Sequence, residues 1–260
     1  MNLTAKEIEE KLSAIHDIND PFFLACQKDE RKTVQKLVKK WLKQYEKEQQ
    51  LRQQFQNMCK YERELKEKGF RMLAGIDEVG RGCLAGPVVA ACVILPDEFY
   101  LPGLTDSKKI SKQKREEFFQ YIMDLAVDVG IGFVSAKEID ELNIYNATKK
   151  AMLLAIDQLK QAKPDHLLID ALELPINIPQ LSIIKGDEKS ITIAASSCVA
   201  KVVRDKYMEE LGKQFPEYGF ERHVGYGTKQ HLEAIEKHGV TEHHRKSFAP
   251  VQDALNFFNG

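Results

Sequence analysis

The chain has 260 residues, 43% of them hydrophobic and 30% charged, which excludes a collagenous or largely disordered protein and leaves room for a sizeable core. The formal net charge of −1 hides a split, because residues 1–70 carry 15 Lys/Arg against 12 Asp/Glu and the remainder carries 23 against 27. No apolar run approaches the roughly 20 residues of a membrane span, and the N-terminus does not resemble a secretory signal, so we expect no membrane contact and a cytoplasmic location. Five cysteines without a CxxC pair favour reduced thiols over disulfides or zinc.

The first 70 residues have a helical pattern throughout. Thr4 to Glu7 has capping-box spacing, Asp20-Pro21 begins a second helix, and an amphipathic stripe follows from Glu30. Between Lys28 and Lys60 there are 10 basic and 4 acidic residues. This basic face is either an ordinary solvated surface or an auxiliary nucleic-acid contact. We therefore predict an all-helical N-terminal extension over residues 1–70.

Strands and helices alternate after Gly69. Runs rich in β-branched and small residues predict strands in LAGID (73–77), PVVAACVIL (87–95), VDVGIGFVSA (127–136), HLLID (166–170) and LSIIKGD (181–187). Helices are predicted from Ser111, from Ile144 to near Pro164, and from Ile191 to Leu211. The order favours an α/β domain over residues 71–260, with a mixed sheet that begins as an antiparallel hairpin and is flanked by helices, and a C-terminal helical tail.

Three of the strand-like runs end in acids. Asp77 and Glu78 follow the first, Asp170 ends the fourth and Asp187 ends the fifth. Open α/β sheets commonly build sites at strand ends, and four converging carboxylates are costly unless cations neutralise them. Oxygen ligands without nearby His or Cys favour Mg²⁺ or Mn²⁺, and a two-metal site serves phosphodiester chemistry. Each acid taken singly also fits an ordinary turn or cap.

The segment Gly80-Arg81-Gly82 comes directly after the first acids. Flanking glycines allow the backbone to approach a ligand closely, and the arginine can hold a phosphate. A tight turn before the second strand explains the same glycines equally well.

Several separated motifs together resemble bacterial ribonuclease HII over about residues 71–248. They are AGIDEVGRGCLAGPVVAACVIL, TDSKKIS, LLIDAL, KGDEKSITIAASSCVAKVVRD and YGFERHVGYGT. The resemblance implies a ribonuclease H-like fold and an endonuclease for RNA/DNA hybrids and ribonucleotide-containing duplex DNA. It also implies cleavage on the 5′ side of embedded ribonucleotides, leaving a 3′-hydroxyl and a 5′-phosphate, with roles in DNA repair by ribonucleotide removal and in RNA primer processing.

The resemblance also assigns residue roles. The family's four metal-binding acids fall on Asp77, Glu78, Asp170 and Asp187, and its GRG turn, which reads the ribose 2′-hydroxyl, falls on Gly80, Arg81 and Gly82. Its junction-sensing tyrosine falls on Tyr226. Expected phosphate contacts are Lys108, Lys109, Lys185, Lys201, Arg204 and Arg245, although each of them taken singly also fits a solvated surface charge.

Ribonuclease HIII is the nearest related family to exclude. Ribonuclease HIII resembles the chain around the first acids but typically has a lysine at the place of Arg81 and a sheet-containing N-terminal platform.

The segment Gln252 to Phe258 resembles peptides that dock on the bacterial sliding clamp, although a short helix packing Val251, Leu255 and Phe258 against the core explains it too. The protein is expected to act as a monomer.

Two other functions share some of these features. A different two-metal nuclease or a strand-transfer enzyme of the same fold would need the acids but neither the GRG turn nor Tyr226. A non-catalytic hybrid-binding protein would function unimpaired after Asp77→Asn.

Overall fold

The computed structural model describes the backbone of residues 3–259 and the side chains of residues 3–256. By its internal packing the chain divides into two compact units, Met1–Gln56 and Asn57–Gly260. The described residues include no helix with the length and apolar composition of a membrane span.

The first unit is helical. It contains α1 (Ala5–Ser13), α2 (Pro21–Gln27) and most of α3 (Lys32–Met58). The predicted capping box is present, since the Thr4 side chain accepts from the Glu7 N–H and the Glu7 carboxylate accepts from the Thr4 N–H. The core of this unit consists of the buried residues Ile8, Leu12, Phe23, Cys26, Val34 and Val38.

The second unit begins with α4 (Lys60–Glu67) and contains a five-stranded sheet. The strands are β1 (Leu73–Val79), β2 (Val88–Ile94), β3 (Asp128–Val134), β4 (His166–Asp170) and β5 (Gln180–Ile183). Their order is β3-β2-β1-β4-β5, with antiparallel β1–β2 and β2–β3 pairs and parallel β1–β4 and β4–β5 pairs. The predicted mixed sheet with an antiparallel start is confirmed.

The remaining helices are α5 (Lys112–Leu125), α6 (Ala136–Leu142), α7 (Ile144–Asp157), α8 (Ile191–Gln214), α9 (Phe220–His223), α10 (Lys229–His238) and α11 (Ala249–Asn259). Of these helices, α7 and α8 pack on the sheet. Ser111 caps α5 as predicted. The sequence predicted that α7 would continue to near Pro164, but the helix ends at Asp157. The Asp128 carboxylate accepts hydrogen bonds from the N–H groups of residues 160–162 and holds them in a turn, so the helix does not continue.

Helix α8 lies against β1 and positions the site. A Cβ at Gly75 would lie 2.2 Å from the Thr192 carbonyl carbon, so glycine lets the helix approach the strand closely. The hydroxyl of Ser196 donates to the Gly75 carbonyl at 2.8 Å. The first ten residues of α8, 191–200, are all buried, which explains why this segment is rich in small and apolar residues.

Candidate active site

The sheet brings Asp77 and Asp170 to the same edge. In the parallel β1–β4 pair Ile76 is in register with Ile169, so the next residues of the two strands, Asp77 and Asp170, lie beside each other. The sequence placed Asp77 and Glu78 at the end of a strand, whereas both lie within β1, which continues to Val79.

Asp187 reaches the same edge through a turn and not from a strand. Strand β5 ends at Ile183, Lys185 takes a left-handed conformation with φ 56°, and Gly186–Glu188 form a 3₁₀ turn. The Gly186 N–H donates to Asp170 Oδ1 at 2.7 Å. This hydrogen bond ties the turn that carries Asp187 to the acid at the end of β4.

The four acids line one pocket of about 170 Å³, which is smaller than the ~300–1,000 Å³ of small-molecule pockets. A polymeric substrate would therefore lie across its opening and not inside it. The lining residues are Asp77, Glu78, Val79, Gly80, Arg81, Gly82, Ser107, Lys108, Asp170, Asp187, Ser197 and Tyr226. Nine of the predicted site residues thus lie together. We call Asp77, Glu78, Asp170 and Asp187 the acidic wall of this pocket.

Burial and mutual repulsion raise the pKa of three of these acids. Burial, followed by the negative charges of Glu78 and Asp170, raises the pKa of Asp77 well above its usual value. Burial also raises the pKa of Glu78, against the opposing effect of Arg81. Burial, with the charges of Asp106 and Asp170, raises the pKa of Asp187 to about 6. The acidic wall is therefore an unfavourable concentration of negative charge for the protein alone.

One oxygen of the acidic wall has no partner in the described structure. Arg81 Nη1 lies 3.2 Å from Glu78 Oε1, but Glu78 Oε2 is buried and receives no hydrogen bond. A buried carboxylate oxygen without a donor is costly, and a cation would satisfy it.

The donor set of the pocket is all oxygen, the set that hard divalent cations prefer. Among the side chains of residues 3–256, however, no group of three or more His, Cys, Asp or Glu is arranged closely enough to hold a metal ion by itself. The residue types and the unsatisfied Glu78 oxygen fit a divalent cation.

The GRG turn and Tyr226 form the other side of the pocket. Gly80 has φ +94°, where L-residues are strained, and a Cβ there would lie 2.2 Å from Arg204 Nε. A Cβ at Gly82 would have nothing within 4 Å. Gly80 is therefore required by the fold, whereas Gly82 leaves open space beside the pocket. The Tyr226 side chain is 39% exposed, and burial followed by the charge of Cys83 raises its pKa.

The other predicted phosphate contacts lie outside the pocket lining. Lys109 pairs with Glu188 at 2.8 Å and Lys201 with Asp205 at 2.7 Å, while Lys185 is an exposed residue of the turn before Asp187.

For Arg204 and Arg245 the expected phosphate contact is wrong. Both side chains are fully buried and donate to backbone carbonyl groups, so neither guanidinium reaches the surface.

Sequence reasoning missed two polar residues of the pocket and one buried carboxylate outside its lining. Ser197 and Ser107 line the pocket, their hydroxyls lie 3.1 Å apart, and a hydrogen bond from Ser197 opposes the rise in the Asp77 pKa. Both serines lie in the motifs TDSKKIS and AASSC, so the signal was present. Buried Glu62 accepts hydrogen bonds from Ser190 and Thr192 at the start of α8, and nothing in its helical surroundings distinguished it.

Solved structures share this fold. A ribonuclease H2 from Pyrococcus horikoshii OT3 matches with a TM-score of 0.63 at 24% identity, over 73% of this chain and 99% of that one. A ribonuclease HII from Archaeoglobus fulgidus, solved in a complex with PCNA, matches with a TM-score of 0.57 at 26% identity, over 68% of this chain and 95% of that one. The fold and the acidic pocket define a ribonuclease H-like nuclease.

Sequence comparison identifies the family. The ribonuclease HII model matches residues 74–251, and the ribonuclease HII N-terminal domain model matches residues 4–66. A ribonuclease HII from Bacillus cereus (strain G9842) is 59% identical over 97% of this chain and 98% of its own. The chain belongs to the ribonuclease HII family. It is a metal-dependent endonuclease of the ribonuclease H type, and its substrates are nucleic acids.

Proposed function

We propose that the acidic wall is the catalytic centre for cleavage on the 5′ side of ribonucleotides embedded in duplex DNA, leaving a 3′-hydroxyl and a 5′-phosphate. The observation that carries this proposal is a set of buried, mutually repelling carboxylates in one pocket beside the GRG turn. A phosphodiester can approach these carboxylates only if cations intervene, so substrate binding and cation binding are linked at one place.

The proposed cofactor is Mg²⁺ or Mn²⁺, held as two ions by Asp77, Glu78, Asp170 and Asp187. Bound there, such ions supply Lewis acidity that activates a water and stabilises the departing 3′-oxygen. Glu78 Oε2 and the buried carboxylate of Asp77 are the oxygens that gain most from a cation, since one lacks a hydrogen-bond donor and the other is surrounded by negative charge.

The chain's own residues bind and orient the substrate in this proposal. Gly82 leaves room for a sugar edge, so that the peptide groups of the GRG turn can read a 2′-hydroxyl. Arg81, whose side chain is 44% exposed, and exposed Lys108 face a phosphate at the pocket opening. The Tyr226 ring would lie against the next deoxyribose and disfavour a hydroxylated sugar. Lys109, Lys185 and Lys201 would contribute long-range attraction and outer contacts.

One cleavage assay tests this function. The protein is incubated with duplex DNA carrying a single ribonucleotide, with and without Mg²⁺ or Mn²⁺, and the cut is mapped. We expect cation-dependent cleavage 5′ of the ribonucleotide and no cleavage of the matched all-DNA duplex. Equal cleavage of both duplexes would favour a different nuclease or strand-transfer enzyme. Binding without cleavage under any ion would favour a hybrid-binding protein.

The N-terminal extension, residues 1–70, is proposed as an accessory duplex contact. Lys36, Lys39, Lys43 and Lys47 are exposed and recur every three or four residues along α3, so they follow one helix face. Replacing Lys39 and Lys43 by Glu should weaken duplex binding and flatten its salt dependence without affecting cleavage at saturation. Unchanged salt dependence would leave the face as an ordinary solvated surface.

The C-terminal helix α11 is a candidate for clamp docking. The Archaeoglobus fulgidus relative was solved with PCNA, and Gln252 to Phe258 has the spacing of a clamp peptide. Val251 is buried and Leu255 is partly buried, whereas the side chain of Phe258 lies outside the described residues. Deleting residues 252–260 and measuring clamp binding tests the docking, which is excluded if binding is unchanged or is absent from the full chain. Monomeric action in the cytoplasm stays a prediction.

A further inference from the structure

Two arginines lie buried behind the pocket without a carboxylate partner in the described structure. Arg204 and Arg245 are both 0% exposed, and all the side-chain hydrogen bonds described for them end on backbone carbonyl oxygens. Burial lowers the pKa of Arg245 to about 10, which leaves it charged at neutral pH. Buried charges persist only where specific groups compensate them, so the carbonyls that these residues collect are held in place. We call Arg204 and Arg245 the arginine pair.

Arg245 orients the peptides of the GRG turn. Its Nη2 donates to the Gly80 carbonyl at 2.6 Å and to Gly86 at 2.9 Å, and its Nη1 donates to the Arg81 carbonyl at 2.8 Å. In a trans peptide the C=O and N–H groups point in opposite directions. Because two successive carbonyls point at Arg245, the N–H groups of Arg81 and Gly82 point away from it.

Arg204 joins the end of the GRG loop, residues 80–87, to the Tyr226 segment, residues 224–226. Its Nε donates to the Pro87 carbonyl at 2.9 Å, its Nη2 to Ala85 at 3.1 Å, and its Nη1 to Val224 at 2.9 Å. Val224 is a β-branched residue in a left-handed conformation, φ 44°, which is strained and persists only when its surroundings enforce it. The hydrogen bond from Arg204 is one such constraint, two residues before Tyr226.

The two segments are also bonded to each other. The Leu84 and Ala85 N–H groups donate to the Gly225 carbonyl at 2.8 and 3.4 Å. A Cβ at Gly225 would lie 2.4 Å from the Ala85 carbonyl oxygen, so the backbones are in close contact. The GRG loop and the Tyr226 segment therefore share one buried hydrogen-bond network with the arginine pair at its centre.

We propose that Arg204 and Arg245 are positioning residues for substrate recognition, which hold the GRG turn and the Tyr226 segment as one rigid unit facing the pocket. The inference rests on the proposed function of these two elements. Neither arginine touches substrate. Each acts through the peptide groups that it orients, and lysine cannot replace either, because one ammonium cannot span carbonyls that a planar guanidinium bridges.

The test compares Arg245→Lys with a matched control, Asp128→Asn. The buried side chain of Asp128 also accepts hydrogen bonds from the backbone of a loop. Asp128 pairs with Ile94, which pairs with Ala74, so it lies at the end of the sheet remote from the pocket. Both variants of the full chain are assayed with Mg²⁺ below their melting temperatures. We expect Arg245→Lys to lower kcat/KM on the single-ribonucleotide duplex at least tenfold and to erode its preference over all-DNA duplex. Asp128→Asn should lower the melting temperature and leave kcat/KM and the preference over all-DNA duplex within twofold of wild type.

Double-mutant cycles separate positioning from general damage. If Arg245 acts through the peptide groups of the turn, Arg245→Lys should add little to the loss caused by Gly82→Ala, whose Cβ occupies the space in front of the same peptide groups. Arg204→Lys should likewise add little to the loss caused by Tyr226→Ala. Each combination with Asp128→Asn should be additive. Full additivity of the arginine changes, or a loss of less than twofold in the single variants, overturns the proposal.

Further variants keep the test decisive. Arg245→Gln keeps two N–H donors and replaces Arg245→Lys if that variant does not fold. Should neither fold, the cycle of Arg204→Lys with Tyr226→Ala decides. Asp77→Asn on the same substrate distinguishes the two proposals: if it retains turnover, the proposed function fails, and if only the arginine variants behave as wild type, the positioning role alone fails.

Discussion

Two groups of buried charge lie on either side of the GRG turn, and they are satisfied in opposite ways. The arginine pair donates its hydrogen bonds to carbonyls of the chain itself. The acidic wall has raised pKa values and a buried Glu78 oxygen without a donor. Folding completes the hydrogen bonds of the first group, whereas it leaves in the second group a buried oxygen that a cation would satisfy.

This difference separates the work of positioning from the work of catalysis. Groups that hold a recognition turn must be fully bonded before substrate arrives, since an unsatisfied positioning residue would let the turn move. Groups that bind cations must keep oxygens without hydrogen-bond donors from the protein, and their mutual repulsion lowers the stability of the fold. Substitutions in the acidic wall should therefore abolish cleavage and leave the fold intact. Substitutions of the arginine pair should instead disturb substrate recognition.

The largest expected effect comes from Asp77→Asn. We expect turnover to fall at least about 10³-fold, the scale observed when a member of a catalytic set is removed. Duplex binding should be unchanged or tighter, because a negative charge facing phosphate is lost. Cleavage rates and a binding titration measure the two quantities. Near-normal turnover would exclude the metal-binding role of the acidic wall.

A matched pair of glycine substitutions gives the next effect. Gly82→Ala should keep the melting temperature of the wild type, because the new Cβ meets no protein atom within 4 Å, and should reduce cleavage on the order of 10- to 100-fold by occupying space that the sugar needs. Gly80→Ala should cost about 2 kcal/mol or more of unfolding free energy, because its φ is +94° and Arg204 blocks the Cβ. Thermal melts and kinetics of both variants test this. Equal destabilisation by the two changes would contradict it.

The smallest effect is a pH dependence of stability. The pKa of Asp187 is raised to about 6 in the folded protein, so its favourable contribution is complete below pH ~4 and is lost as pH rises through about 6. In chelator, Asp187→Asn should therefore gain stability relative to wild type between pH 4 and pH 7, by a few degrees in melting temperature. Mg²⁺ should reduce or reverse this difference. A difference that does not change with pH would show that burial and the neighbouring acids do not raise the pKa of Asp187.

The sequence predicted much of the fold because the decisive patterns are local. The continuous apolar run of β2 is buried at every residue, and Ser111 caps α5 as its position indicated. The end of α7 was not predictable in this way, because Asp128 holds the following turn from 32 residues away. The sequence prediction placed Asp187 at the end of a strand, because the residues before it in LSIIKGD are mostly apolar. That pattern does not reveal the left-handed conformation of Lys185, which starts a turn.

The candidate site was predictable in its acids and poorly predictable in its basic residues. Asp77 and Asp170 follow apolar runs, and such runs form strands whose ends meet. Arg204 and Arg245 were interpreted as phosphate contacts because they lie in motifs rich in site residues. A sequence motif places a residue near a site but does not say whether the side chain points toward solvent or into the interior.

The sequence by itself determined the family, the alternation of strands and helices, and the identity of the acids that the strands carry to one edge. Only the tertiary structure decided which charges face the pocket and which are buried behind it. The physical reason is that burial depends on partners remote in the chain: Arg245 donates to the carbonyl of Gly80, 165 residues earlier. No local pattern records a contact of that range, so the division between charges that line the pocket and charges buried behind it emerges only on folding.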